Sequence, residues 1–280
     1  VQQKLLVMNN FLTRTLYGFI FAIVMIGAIL LDVKLLALLL LLITFIGTKE
    51  MVFLFKKTKY KQGDKFLFQL IGLFFYSWLA AAALGWNEPK TLFLFLPLLS
   101  FPFLHALFSK KHTFSEVATL HWATVFYVAI PSGLMLFFYN TEVVGPMAGA
   151  LLLLTVIGFV WINDIFAYLV GIKLGRTKLF ERISPKKSRE GSLGGLVFTL
   201  GAAYVLSLFA EWITTRDAMM IALIVVVTGS LGDLVESMLK RQANVKDSGN
   251  ILPGHGGVLD RFDATFFAVP FVFVYLVMTQ

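Results

Sequence analysis

Asp233, Glu236, Ser237, Lys240 and Arg241 are spaced i, i+3, i+4, i+7 and i+8. On a helix that spacing gathers them into one polar stripe. Thr228, Gly229, Ser230 and Gly232 lead into it, and such small residues let a second backbone come close. The run KDSGNILPGHGGVLDRFD, residues 246–263, adds Asp247, Asp260 and Asp263 together with Lys246, His255 and Arg261. Within it Gly254, Gly256 and Gly257 permit positive φ and close approach of backbone N–H groups to an anion. The carboxylates Asp233, Asp247, Asp260 and Asp263, in a chain without cysteine, suit a hard cation such as Mg²⁺. Lys240, Arg241, Lys246 and Arg261 suit phosphate oxygens. Together these residue types are what phosphoryl or nucleotidyl transfer requires. A solvated helix end followed by a helix cap would account for one aspartate and leave the others unexplained.

An earlier segment has related chemistry. Asp164 lies near the end of an apolar run, and the stretch from about Gly171 to Gly191 carries Ser184, Lys186, Lys187, Ser188 and Arg189. Ser192 is placed to cap the helix that follows, whose free N–H groups would attract an anion. A basic loop that only sets membrane orientation is the commoner meaning of such a run. His105, His121 and Trp122 read as packing or interface residues.

The elements that must position these groups are membrane helices. Of 280 residues, 58% are hydrophobic and 14% charged, against about 45–50% and 25% in soluble domains. Apolar windows near 16–31, 35–55, 66–86, 92–108, 118–139, 143–170, 193–210, 219–236 and 262–279 predict an all-α polytopic membrane protein of about nine spans. Pro97, Pro102, Pro131 and Pro270 fall inside spans as candidate kinks. With the N-terminus inside and the C-terminus outside, 21 of the 24 Lys and Arg residues face the cytoplasm. The net charge of +8 thereby concentrates on the face that carries both chemical segments. The chain reads as a single membrane domain, with helices of 1–142 for packing or dimerisation and 143–280 carrying catalysis. No small-x-small cleavage site follows Leu31, so the first run is read as a span and not a signal peptide. A P-loop and an H-E-x-x-H motif are absent, as is any Asp-Gly dipeptide. No basic run interleaved with aromatics points to nucleic acid.

The 27 residues from Ser237-Met-Leu-Lys-Arg241 through Lys246-Asp-Ser-Gly249 to Leu252-Pro-Gly-His-Gly-Gly-Val-Leu-Asp-Arg-Phe-Asp263 resemble the signature of the phosphatidate cytidylyltransferase (CDP-diacylglycerol synthase) family. Ser184-Pro-Lys-Lys-Ser188 to Gly191, and Asp164 with Ala167-Tyr168, are also similar to that family, although Ile165 stands where a small hydroxyl residue is expected. The resemblance implies a reaction in which a phosphatidate oxygen attacks the α-phosphorus of CTP, releasing pyrophosphate and leaving CDP-diacylglycerol in the membrane. It implies an integral protein of a bacterial-type inner membrane, a homodimer among membrane lipids with its active site facing the cytoplasm. It also implies Mg²⁺ or Mn²⁺, with a second cation left open. Asp233 and Asp260, then Asp247, are the expected metal carboxylates, and Asp263 is expected to act behind them or as a helix cap. Lys240, Arg241, Lys246 and His255 are expected to act in catalysis. Asp164, Ser184, Lys186, Lys187, Ser188, Ser237, Gly256, Gly257 and Arg261 are expected to bind substrate. Rival readings are a CTP-dependent enzyme acting on a polyprenol, phytol or archaeal ether lipid, a transporter or channel for a phosphorylated solute, and a lipid-binding scaffold.

Overall fold

Long apolar runs without the period-2 alternation of strands fold as helices, because a backbone in lipid must satisfy its hydrogen bonds within its own segment. The computed structural model describes residues 2–55, 62–109, 112–145, 149–251 and 256–279, with side chains described from residue 15 onward except at 62, 63, 89 and 92. Among the described residues seven helices are long and apolar enough to cross a membrane: Val33–Leu54, Asp64–Ala83, Phe114–Phe137, Ala150–Leu174, Arg189–Phe209, Thr215–Gln242 and Leu259–Thr279. Two shorter apolar stretches, Thr15–Leu31 and Phe95–Phe108, occupy the remaining two expected windows.

The chain divides into two compact units, Val1–Leu136 with Gln242–Phe262, and Phe137–Arg241 with Asp263–Gln280. In the first, α1 (Gln2–Leu31), α2 (Val33–Leu54) and α3 (Gln62–Ala83) bury Ile29, Leu36, Leu40 and Phe68. Asp32 separates α1 from α2 by capping Lys34 N–H at 2.5 Å. The Tyr76 hydroxyl donates to the Ala37 carbonyl at 2.5 Å, tying α3 to α2. The window at 92–108 breaks into a 3₁₀ turn (Pro89–Leu94), α4 (Phe95–Leu98) and α5 (Phe101–Phe108). Pro97 and Pro102, which lack an amide donor, lie within that broken stretch. Next, α6 (Phe114–Trp122) starts at a Thr113/Glu116 capping box. A π-helical stretch, Ala123–Ala129, precedes Pro131 and α7 (Ile130–Phe137).

The second unit contains α8 (Thr141–Val144), α9 (Ala150–Leu174), α10 (Arg189–Phe209), nearly all of α11 (Thr215–Gln242) and α12 (Leu259–Thr279) from Asp263 onward. Helix α12 runs through Pro270 unbroken. Helices α9 and α10 pack closely: a β-carbon on Gly191 would lie 2.6 Å from the Ala167 carbonyl oxygen, and one on Gly194 2.6 Å from Val170. Between them the structure departs from the all-helical expectation. Lys178–Phe180 (β1) and Ser184–Ser188 (β2) form an antiparallel hairpin. The Glu190 carboxylate holds its base, accepting from the amides of Arg176 at 3.0 Å and Thr177 at 3.1 Å. The cap of α10 is Ser188, one turn before the expected Ser192. Its Oγ accepts from Gly191 N–H at 3.1 Å, while the Ser192 hydroxyl donates back to the Ser188 carbonyl at 3.2 Å.

Candidate active site

The small residues before Asp233 act as the sequence suggests. A β-carbon on Gly229 would sit 3.4 Å from Ala264, and one on Gly232 would sit 2.5 Å from the Asp263 carbonyl oxygen. Helix α12 therefore lies directly against α11 where the polar stripe begins. That contact brings Asp263 within electrostatic reach of Asp233, of Asp164 on α9 and of Lys240. Three carboxylates from three helices thus face one region of the second unit. Lys187 of the hairpin forms an ion pair with Asp233. The Ser237 hydroxyl, one turn on, donates to Asp233 Oδ1 at 3.2 Å. Lys240 pairs with the fully buried Glu236 on the same helix. Of the other expected residues in this unit, Ser188 is buried as the α10 cap, Ser184 is half-buried in β2, and Asp164, Lys186 and Arg241 are exposed. Ile165, beside Asp164, is 55% exposed.

The signature segment in the first unit is organised by two carboxylates. Asp260 Oδ2 accepts from Ser248 N–H at 2.8 Å, Gly257 N–H at 2.8 Å and the Ser248 hydroxyl at 2.9 Å. Gly256 has φ of +79° and packs against this carboxylate, so a side chain there would be strained and obstructed. The Gly257 amide, expected to face a substrate anion, donates to Asp260. The second carboxylate was not anticipated. Glu50 of α2 is buried, and it accepts from the amides of Val258 at 3.0 Å and Leu259 at 2.9 Å. The signal available in the sequence was Lys49-Glu50, an ionisable pair interrupting an otherwise apolar run. Lys246, Asp247 and Arg261 are exposed. His255 lies outside the described residues. A cavity of about 590 Å³ runs along this segment, lined by Ile46, Lys49, Glu50 and Phe53 of α2 and by residues 245–251. Its size falls within the range of small-molecule sites, about 300–1,000 Å³.

Among the described residues no three His, Asp or Glu side chains are grouped closely enough to hold a metal ion alone. Mg²⁺ commonly takes about one or two protein carboxylates and completes its shell with water and substrate phosphates. Asp233 and Asp263, hard oxygen donors with their backbones held together by Gly232, fit that partial shell.

His105 and His121, expected to be separate packing residues, are joined. Their rings meet at 2.8 Å between Nδ1 and Nε2, and His105 Nε2 lies 3.5 Å from Asp64.

A sequence model of the cytidylyltransferase family matches residues 12–279. A phosphatidate cytidylyltransferase of Bacillus subtilis is 50% identical over 120 residues, 42% of this chain and 45% of that protein. One from Synechocystis is 46% identical over 134 residues, 45% of this chain and 44% of that protein. One from Staphylococcus epidermidis is 37% identical over 187 residues, 65% of this chain and 68% of that protein. The chain thus aligns with slightly under half the length of the first two relatives.

Proposed function

The chain belongs to the cytidylyltransferase family, and we propose that it transfers the cytidylyl group of CTP to phosphatidate. A phosphatidate oxygen forms a bond to the α-phosphorus of CTP. The bond to the bridging oxygen of the β-phosphate breaks, and pyrophosphate leaves. The observation that carries this reading is the convergence of Asp164, Asp233 and Asp263 from three helices, with Lys187 and Lys240 beside them. Like charges in a half-buried region favour a counter-cation, and two substrates that both carry phosphate need cations to meet.

Asp233 and Asp263 would hold Mg²⁺ or Mn²⁺, with Asp247 and Asp260 the further carboxylates to test, and a second cation left open. A bound divalent ion would neutralise phosphate oxygens and the charge that develops on pyrophosphate. Lys187 orients Asp233 through their ion pair and Ser237 supports it by a hydrogen bond. Lys186, Arg241, Lys246 and Arg261, all exposed, would bind the triphosphate and the lipid phosphate. The attacking phosphate is ionised at neutral pH, so the reaction does not depend on a strong general base. The protein would lie in a bacterial-type inner membrane as a homodimer, with nine spans, N-terminus inside, C-terminus outside and the site facing the cytoplasm.

The test is direct. Purified protein is incubated with α-labelled CTP, phosphatidate and Mg²⁺. Labelled CDP-lipid with stoichiometric pyrophosphate is expected; release of CDP and a phosphorylated lipid would replace this reading with γ-phosphoryl transfer.

A further inference from the structure

Glu50 sits 198 residues before Ser248 in sequence, yet its carboxylate meets both ends of the stretch 248–259 within the signature segment. At the near end the Ser248 hydroxyl lies 3.1 Å from Glu50 Oε2. At the far end the amides of Val258 and Leu259 donate to Oε1 and Oε2 at 3.0 and 2.9 Å. These amides open α12, and the first N–H groups of a helix have no partner of their own. A carboxylate suits them doubly, by hydrogen bonding and by opposing the helix dipole.

The surroundings are built to admit this side chain. Gly249 and Gly257 both lie against the Glu50 carboxylate, so a β-carbon at either position would collide with it. The two glycines are therefore needed for the approach of Glu50. Glu50 is 7% exposed and Ser248 1%. The Ser248 hydroxyl also lies 2.9 Å from Asp260, so it stands between the two carboxylates. The exposed Lys246 and Asp247 immediately precede this anchor, and Lys49 precedes Glu50 on the same wall of the cavity.

We infer that Glu50 is a positioning residue for catalysis: it clamps residues 248 and 258–259 to α2 and so fixes the segment carrying Lys246, Asp247 and Asp260. The inference rests on the proposed cytidylyl transfer for its activity readout. Charged hydrogen bonds on buried amides are worth enough for their loss to be felt as fold-changes in rate, and small misplacements of binding groups cost turnover.

The experiment compares wild type, Glu50→Gln, Glu50→Ala and Ser248→Ala in detergent, each as the monodisperse fraction. Glu50→Gln keeps the shape, but its amide nitrogen opposes one of the two N–H donors. Its kcat is expected to fall about 10-fold or more with the KM for phosphatidate within about 3-fold, and its melting temperature to stay within a few degrees of wild type. Hydrogen–deuterium exchange over residues 256–260 should quicken in Glu50→Gln and further in Glu50→Ala. Ser248→Ala, which removes the hydroxyl that stands between Glu50 and Asp260 and leaves both amide donors in place, should lower kcat less than Glu50→Gln. A kcat in Glu50→Gln within twofold of wild type overturns the inference. So does unchanged exchange over 256–260, or a loss of activity that only tracks loss of monodisperse protein. If Glu50→Gln yields no folded protein, Ser248→Ala decides, and wild-type kcat there counts against the clamp. Wild type with no CDP-lipid product overturns the proposed reaction instead, and the exchange measurement then decides the clamp on its own.

Discussion

The ammonium of Lys187 and the carboxylate of Asp233 form an ion pair that ties β2 to α11, with both side chains about 30% exposed. On an open surface such a pair is worth little, about 0–1 kcal/mol. Here Asp233 also bears on Asp263, which in turn faces Asp164. Lys187 is thus a main offset to a group of like charges. Replacing it with Met should lower turnover on the order of 100-fold, and Lys187→Arg should recover part of that. Pyrophosphate release per folded protein measures both. Full activity in Lys187→Met would show that the pair is only a surface contact.

Asp233→Asn should lower turnover by about 100-fold or more while the protein still inserts and folds, since Asn preserves shape and can still accept from Ser237. Asp263→Asn should raise the Mg²⁺ concentration needed for half-maximal activity. Chelation with EDTA should abolish wild-type product formation, and added Mg²⁺ should restore it. Near wild-type turnover in Asp233→Asn, or activity that survives chelation, removes these residues from the metal role.

The α9–α10 packing makes a stability prediction. In Gly191→Val the new β-carbon would lie 2.6 Å from the backbone oxygen of Ala167, which cannot move aside as a side chain does. Overpacking of this kind costs about 1–3 kcal/mol, so the melting temperature in detergent should fall by several degrees. Gly201→Ala, on the same helix with nothing beyond its own helical backbone within 4 Å of the new β-carbon, should leave it unchanged or raise it slightly. Equal melting temperatures for the two variants would contradict the packing described for Gly191.

Helices and the chemical residues were legible because hydropathy runs and fixed spacing are local signals. The polar stripe on α11 and the close approach through Gly232 both follow from the spacing of residues 228–241. The hairpin was hidden because three- and five-residue strands held by Glu190 leave no periodic pattern. Ser188 and Ser192 are equally good caps by type, and only the backbone at the end of β2 selects Ser188. Asp233, Asp247, Asp260 and Asp263 are alike by residue type, and only the fold shows that Asp260 Oδ2 accepts from Ser248 and Gly257 while Asp263 lies near Asp233. The role of Glu50 is not legible in the sequence because its partners lie some 200 residues away, a distance no sequence pattern spans.

The membrane path turns on Phe95–Phe108. Fourteen helical residues rise only about 21 Å, short of the roughly 30 Å hydrocarbon core, and Pro97 and Pro102 break the stretch further. If it nonetheless crosses, Glu88 and Glu142 share the outer face and Glu181 lies inside. If it does not, the next long helix, Phe114–Phe137, returns the chain from the face of Glu88, and Glu142 lands opposite it. The chain has no cysteine, and Glu88, Glu142 and Glu181 are all exposed, so single Glu88→Cys, Glu142→Cys and Glu181→Cys variants report without background. With a membrane-impermeant maleimide on intact cells, the first two should label and Glu181→Cys should label only after permeabilisation. Ser188 would be a poor reporter, since its hydroxyl is the buried cap of α10. Opposite labelling of Glu88→Cys and Glu142→Cys would mean that Phe95–Phe108 folds back on one face, and the nine-span path would be replaced by one with fewer crossings.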